Sequence, residues 1–301
     1  MGLSGRIRAY ARKVRSFPAN TAHRIISIPA IQQRLEKEYH DTLSVHASAL
    51  PDLTGLDARI CEGLRQDGIF VTSLEALGMP GSEEMFETAR QMTADYAPEA
   101  HRRAGAGEKY LMFPSARVMM QPVLFTWGLA DRLLNIAESY LGLPPAYDGM
   151  ALVYSVADGK EEATRRWHRD REDRRMVRVA IYLNDVDADG GPFELDRRGR
   201  DALRADDPGA VRSCPGPAGT VIFADTARCL HRGKPAARDR MAIFYSYFSR
   251  RPRNSFYCER SGLSRAQISA LTRALPARQV ESALWHRGLP RLLRVIPSAP
   301  I

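Results

Sequence analysis

The chain contains no apolar run of the roughly 18 to 20 residues that crosses a bilayer as a helix. Its best apolar stretches, Val221–Ala224 and Met241–Phe248, are strand-sized and bounded by polar residues, so a helical membrane protein is excluded. Cysteine is scarce. Cys61, Cys214, Cys229 and Cys258 lie far apart and form no CxxC pair, which excludes a disulfide scaffold and fits reduced thiols in the cytosol. There is no internal repeat of about 20 to 50 residues and no low-complexity tract, so solenoids and propellers are excluded. Met1–Pro18 lacks the pattern of a signal peptide, and Met1-Gly2-Leu3-Ser4-Gly5-Arg6 lacks the Ser or Thr that N-myristoylation needs at its sixth position. Acid is the minority charge, with 35 Asp and Glu against 44 Lys and Arg.

The balance that remains is that of a globular protein: 301 residues, 44% hydrophobic and 26% charged, enough for one large core or two modest ones. The net charge of +9 favours anionic partners but carries no information on fold; the Arg-heavy composition of a GC-rich genome gives the same excess. In Gly2–Ser16, Leu3, Ile7, Tyr10 and Val14 fall on one helical face among Arg6, Arg8, Arg12, Lys13 and Arg15. Two readings stay open for residues 1–30. They form a basic arm or helix on their own domain, or an amphipathic helix on an anionic membrane surface.

Residues 31–145 read as mostly helical, with helices over Gln32–Tyr39, Leu56–Gln66, Ser82–Tyr96 and Leu129–Leu141. Ser82 before Glu83 and Glu84 reads as an N-cap, and Gly142 closes the fourth helix. Asp67-Gly68 is a turn into a short strand. From residue 146 to 253 the texture changes to short β runs, Ala151–Val156, Val177–Leu183, Gly191–Leu195, Gly219–Phe223 and Arg240–Phe248, separated by Gly- and Pro-rich turns. That pattern predicts a β-sandwich or barrel. Helices return over Ser264–Ala274, capped by Ser264, and Ala277–His286. The expected organisation is one catalytic domain over 31–301, mainly β with flanking helices.

Of seven histidines, only His168 and His231 lie in the β-rich region. In Trp167-His168-Arg169-Asp170 the imidazole and the carboxylate stand two apart, so an extended chain turns both to one side. His231 follows 61 residues after Asp170, enough chain to travel round a barrel and return. Two imidazoles and one carboxylate are the donor set of mononuclear non-haem Fe(II) oxygenases, with half the coordination sphere open; a closed zinc site needs further Cys, His or acid ligands. Arg240 opens the strand after His231. A guanidinium inside a small barrel is costly to bury unless it meets a carboxylate, which the distal carboxylate of 2-oxoglutarate supplies. A surface arginine at a strand end is the plainer alternative, and Arg238 shares its parity.

These segments, with Asp189-Gly190-Gly191-Pro192-Phe193, Gly219-Thr220-Val221-Ile222-Phe223-Ala224-Asp225 and His231-Arg232-Gly233, together resemble the phytanoyl-CoA dioxygenase family over about residues 64 to 248. The resemblance implies a double-stranded β-helix (jelly-roll, cupin-like) core, with Fe(II) held by His168, Asp170 and His231, 2-oxoglutarate held by Arg240, and O2 as the oxidant. By position in the barrel it places Met150 beside the oxoacid and Gln121 as a polar contact. Asp170 excludes the related halogenases, in which chloride occupies that place on the iron; hydroxylation is the default outcome, and desaturation, ring formation and epimerisation stay open because they use the same ligands. Two departures stand out. Asp196-Arg197-Arg198-Gly199-Arg200 replaces a Pro-Gly-Ser-His turn at the barrel mouth, and Ala242 stands where a Ser or Thr helps hold the oxoacid.

Lys160, Arg165, Arg166, Arg169, Arg171, Arg174, Arg175 and Arg178 surround the metal motif and suit an anionic group on a small or lipid-like substrate; a solvated loop with internal ion pairs reads equally well. Tyr154, Trp167 and Arg169 are the substrate-binding candidates. No zinc finger, RNP-like strand or helix-turn-helix is present, and no nucleic-acid partner is expected. The expected location is cytoplasmic, with peripheral contact at the inner membrane face if the basic N-terminus docks there. Two other readings remain: a non-catalytic metal- or ligand-binding barrel, and a zinc-dependent hydrolase on a cupin-like barrel.

Overall fold

The structure, a computed structural model, describes residues 24–108, 111–202, 204–258 and 260–285, together with 17, 20 and 21. The amphipathic stretch Gly2–Ser16 and the end of the last expected helix at His286 lie outside the described residues. Helices α1 (Pro29–His46), α2 (Gly55–Gln66), α3 (Leu74–Leu77), α4 (Ser82–Gly105), α5 (Ser115–Met120), α6 (Pro122–Thr126) and α7 (Asp131–Leu141) precede most of the β structure, and α8 (Arg265–Thr272) and α9 (Ala277–Ala283) follow it. The strands are β1 (Ile69–Ser73), β2 (Leu111–Met112), β3 (Pro145–Ser155), β4 (Val177–Tyr182), β5 (Phe193–Asp196), β6 (Val211–Cys214), β7 (Thr220–Ala224), β8 (His231–Gly233) and β9 (Arg240–Ser249).

They form two antiparallel sheets. The larger runs β1–β7–β4–β9–β3–β2 and the smaller β6–β5–β8, with His168 bridged to His231 at the open side of β8. From β3 onward the chain alternates between them: β3 in the large sheet, the His168 segment in the small one, β4 large, β5 and β6 small, β7 large, β8 small, β9 large. That winding is the double-stranded β-helix implied by the resemblance.

Residues directly opposite in an antiparallel ladder share a face, so the pairings sort the large sheet into two sets. Gly149, Ala151, Val153 and Ser155 of β3 stand opposite Ser246, Phe244, Ala242 and Arg240 of β9, and Arg178, Ala180 and Tyr182 of β4 stand opposite Ser246, Phe244 and Ala242. This set faces the small sheet, where Ala180, Tyr182 and Ala242 pack with Phe193, Leu195 and Cys214. The other set, including Met150, Leu152, Val179, Ile181, Ile243, Tyr245 and Tyr247, packs under the helical layer with Leu64, Leu124, Leu133 and Tyr140. Both faces are therefore buried. Tyr147 and Tyr247 reach through this layer to donate to the carbonyls of Phe125 and Gly128, at 2.9 and 2.5 Å.

The sequence reading differs from the structure at particular places. β3 begins at Pro145 instead of Ala151 and runs through a β-bulge at Asp148: the register shifts between Tyr147 and Gly149, and Gly149 sits at φ 97°. A Cβ there would stand 2.0 Å from Ser261 Oγ. Ser82 is the first residue of α4, preceded by Gly81 at φ 72°, and its hydroxyl accepts from Trp127 Nε1 instead of capping. Ser264 does cap α8, in a reciprocal box with Gln267. β6 and β8, four and three residues long, are too short to show a period.

Candidate metal centre

The backbone brings the two histidines together first. His168 N–H donates to the His231 carbonyl at 3.1 Å and His231 N–H returns the bond at 2.9 Å, while Asp170 N–H donates to the Thr226 carbonyl at 2.9 Å. Alternation along the extended segment then turns His168 and Asp170 inward and Trp167 and Arg169 outward. His168 Nδ1 lies 2.8 Å from the Arg166 carbonyl and His231 Nδ1 lies 3.3 Å from the Cys229 carbonyl. A carbonyl only accepts, so each Nδ1 carries the proton and each Nε2 keeps its lone pair. Both Nε2 atoms stand 3.9 Å from Asp170 Oδ1, and one donor atom from each of the three side chains lies within 4.8 Å of the others. Two bonds of about 2.0–2.2 Å to a shared ion span at most about 4.4 Å, which accommodates both 3.9 Å separations. The donor set fits one metal ion.

Arg178 Nη2 donates to the other oxygen of Asp170, Oδ2, at 2.8 Å. Burial alone would raise the Asp170 carboxyl, but the Arg178 guanidinium and then the imidazoles outweigh it and hold it at about 2. Burial pushes His231 down to about 4, against the opposing pull of Asp170. At neutral pH both present the form a metal binds. The loop between β7 and β8 is held by Asp225, which is fully buried. Asp225 accepts from Tyr140 Oη at 2.5 Å and from the backbone N–H groups of Met176, Ala227 and Arg228 at 3.0–3.2 Å.

The three donors open on a cavity of about 420 Å³, within the ordinary range for small-molecule sites. Arg240 also lines it, is only 8% exposed, and donates to the Gly191 carbonyl and, at 3.2 Å, to Ser155 Oγ. Ala180, Tyr182, Val153 and Phe244 line it, as do the charged Asp148, Glu172, Arg178 and Lys160. Burial and then the charge of Asp170 push Glu172 up to about 7.

The remaining expected site residues fall elsewhere or take other roles. Met150 is among the residues that line the cavity, but its side chain belongs to the helix-side set of β3, packed in the core there, and its backbone N–H donates to Ser261 Oγ at 2.6 Å; the barrel-facing positions of β3 are its neighbours Gly149 and Ala151. Gln121 is exposed between α5 and α6 and does not line the cavity. Tyr154 borders the cavity, with its hydroxyl on Asp239 Oδ2 at 2.6 Å. Trp167 faces outward beneath the Arg232 guanidinium, 4.7 Å from the ring centre. Arg169 is turned away from the cavity and donates to the carbonyls of Arg228, Gly199 and Ala202, tying the ligand segment to its surrounding loops. Arg238 pairs with Asp187 at the surface.

Much of the basic belt is likewise engaged. Arg165 pairs with Asp158 and Arg174 with Glu36 and Asp173. Sequence reasoning gave no site role to Ser155, nor to Arg178 as the partner of Asp170. A lone cation between Val177 and Val179 in an apolar strand was the available signal for Arg178; Ser155 becomes visible only with the register.

No protein-family model matches the sequence, and no curated protein matches it. Among solved structures the chain is similar to EctD from S. alaskensis in its apo form, at 17% identity and a TM-score of 0.47 over 67% of this chain and 81% of that one. AviO1 from Streptomyces viridochromogenes Tue57 is similar at 21% identity and 0.45, over 66% and 97%. The non-haem α-ketoglutarate-dependent epimerase SnoN from nogalamycin biosynthesis is similar at 16% and 0.43, over 65% and 84%.

Proposed function

We propose that this chain is an Fe(II)- and 2-oxoglutarate-dependent oxygenase of a small molecule, with residues 31–301 as its catalytic unit. The observation that supports it most is that His168 Nε2 and His231 Nε2 each stand 3.9 Å from the same Asp170 oxygen, in a cavity that also holds a buried arginine. Three donors leave three positions of a six-coordinate ion open, as non-haem Fe(II) oxygenases require. Iron and 2-oxoglutarate, when bound, supply the oxidising chemistry, with succinate and CO2 formed from the oxoacid.

The chain's own residues do the rest. Arg178 fixes which oxygen Asp170 turns to the ion. The Arg166 and Cys229 carbonyls fix both histidine tautomers. Arg240, only 8% exposed, would face the distal carboxylate of the oxoacid, where burial strengthens a bidentate guanidinium contact. Val153, Ala180 and Phe244 exclude water around the reacting atoms. Hydroxylation is the proposed outcome.

The test is succinate formation from 2-oxoglutarate with Fe(II) and air, absent in His168→Ala and Asp170→Ala. Turnover of a substrate with zinc and no oxoacid would instead select the hydrolase, and oxoacid binding without any decarboxylation would select the non-catalytic barrel.

An anionic amphiphile presented at a membrane is the proposed substrate class. Lys160 in the cavity lining supports it, as do the exposed side chains of Phe17, Ile25 and Ile28 in a stretch with no acid before Glu36. Co-sedimentation with phosphatidylglycerol vesicles at low salt, absent with phosphatidylcholine, is the expected result. Among the described residues no helix is long and apolar enough to cross a membrane.

A further inference from the structure

Resting on that reading, we infer that Ser155 is the second contact for the distal carboxylate of the oxoacid, taking over from the hydroxyl missing at Ala242. Ser155 ends β3 directly opposite Arg240, the first residue of β9. The two therefore share the barrel-facing side and form one layer of the cavity, with Val153 and Ala242 forming the next layer along the strands. A hydroxyl at position 242 would sit one layer further along the strand, on the same face as Arg240. The serine lies on the neighbouring strand, in the layer of the guanidinium itself.

Hydrogen-bond direction gives the hydroxyl its task. Arg240 has only donors, so across the 3.2 Å contact Ser155 Oγ accepts. Its own proton is left to donate, and it meets no acceptor among the described residues. Ser155 is 9% exposed, so water reaches it little. A buried hydroxyl proton beside a guanidinium is complementary to one ligand type, an anion with two oxygens: one oxygen for Arg240, the other for Ser155. The site at the metal end takes the keto acid group of any 2-oxoacid. The Ser155–Arg240 pair reads whether a second carboxylate stands at the far end.

The test compares 2-oxoglutarate with pyruvate, which shares the metal-binding end and lacks the distal carboxylate. Protein loaded with Zn(II), which does not turn over, is titrated with each by calorimetry. A hydrogen bond to a charged group contributes about 1.5–3 kcal/mol, so Ser155→Ala is expected to weaken 2-oxoglutarate by about tenfold or more and to leave pyruvate unchanged. Ser155→Thr, which keeps the hydroxyl, and the double variant Ser155→Ala/Ala242→Ser are both expected to recover most of the loss. Equal weakening of both ligands, or none of either, overturns the role of Ser155 while leaving the oxygenase reading intact. Wild-type protein that takes up Zn(II) but no 2-oxoglutarate overturns the oxygenase reading itself.

Discussion

Arg178 and Asp170 form an ion pair at 2.8 Å that divides the carboxylate between two tasks: Oδ2 answers the guanidinium, and Oδ1 stands 3.9 Å from both histidine Nε2 atoms. Partners that orient a ligand in this way are worth about 10- to 100-fold in metal affinity. Arg178→Met, which keeps the apolar stem, is therefore expected to bind Fe(II) or Co(II) at least about tenfold more weakly, with an unchanged far-ultraviolet circular dichroism spectrum. Competition with a coloured chelator measures it, and wild-type affinity in the variant would reject the orienting role.

Gly233 follows His231 by two residues and lies against Arg240. A Cβ at this position would come 2.4 Å from Arg240 Nη2, so Gly233→Ala must displace the guanidinium. The expectation is retained metal binding with 2-oxoglutarate binding reduced by about tenfold or more. Equilibrium dialysis with radiolabelled oxoacid separates the two, and equal loss of both would show that the strand, not the guanidinium, had moved.

Tyr245 is fully buried, and its hydroxyl has no hydrogen-bond partner among the described residues. An unsatisfied buried hydroxyl costs about 1–3 kcal/mol. Tyr245→Phe removes it without opening a hole, so thermal unfolding is expected at the same temperature or a few degrees higher. A clear fall would mean that the hydroxyl is satisfied in solution, as by a bound water.

Asp239 ties two elements to the start of β9, accepting from Tyr154 Oη at 2.6 Å and from Ala157 N–H at 2.8 Å, with His101 Nε2 at 2.7 Å. Partial burial raises its carboxyl, but these contacts outweigh it and hold the group below the ordinary value of 3.8. A depressed folded-state pKa contributes stability that is present above the unfolded value and lost as the pH falls through the folded one. The difference in melting temperature between wild type and Asp239→Asn is thus expected to be constant at neutral pH and to shrink below pH 3.8. A difference that persists at pH 2–3 would assign the effect to packing.

What was legible in the sequence follows from the physics of each segment. His168 and Asp170 were readable because parity along an extended chain needs no knowledge of its neighbours. The face of Met150 was not. β3 is buried on both sides along nearly its whole length, so apolar and polar residues do not alternate, and the bulge at Asp148 adds a residue that breaks the count. The pairing of Ser155 with Arg240 depends on register, which neither strand encodes alone. Arg169 is the instructive failure: a cation between two ligands looks like a substrate contact, yet it faces the other way and satisfies backbone carbonyls. Gln121 belongs to the helical layer, whose packing on the barrel leaves no local pattern.

The paired backbone bonds between His168 and His231 join stretches that are remote along the polymer. No fragment holding only one of them, and no partly organised chain in which helices have formed before the sheets close, can present three donors to an ion. Affinity for a metal ion at these donors is thus a property of the finished molecule alone, and by mass action a bound ion draws the population toward it. Metal uptake during refolding would report the moment the last turn of the barrel locks.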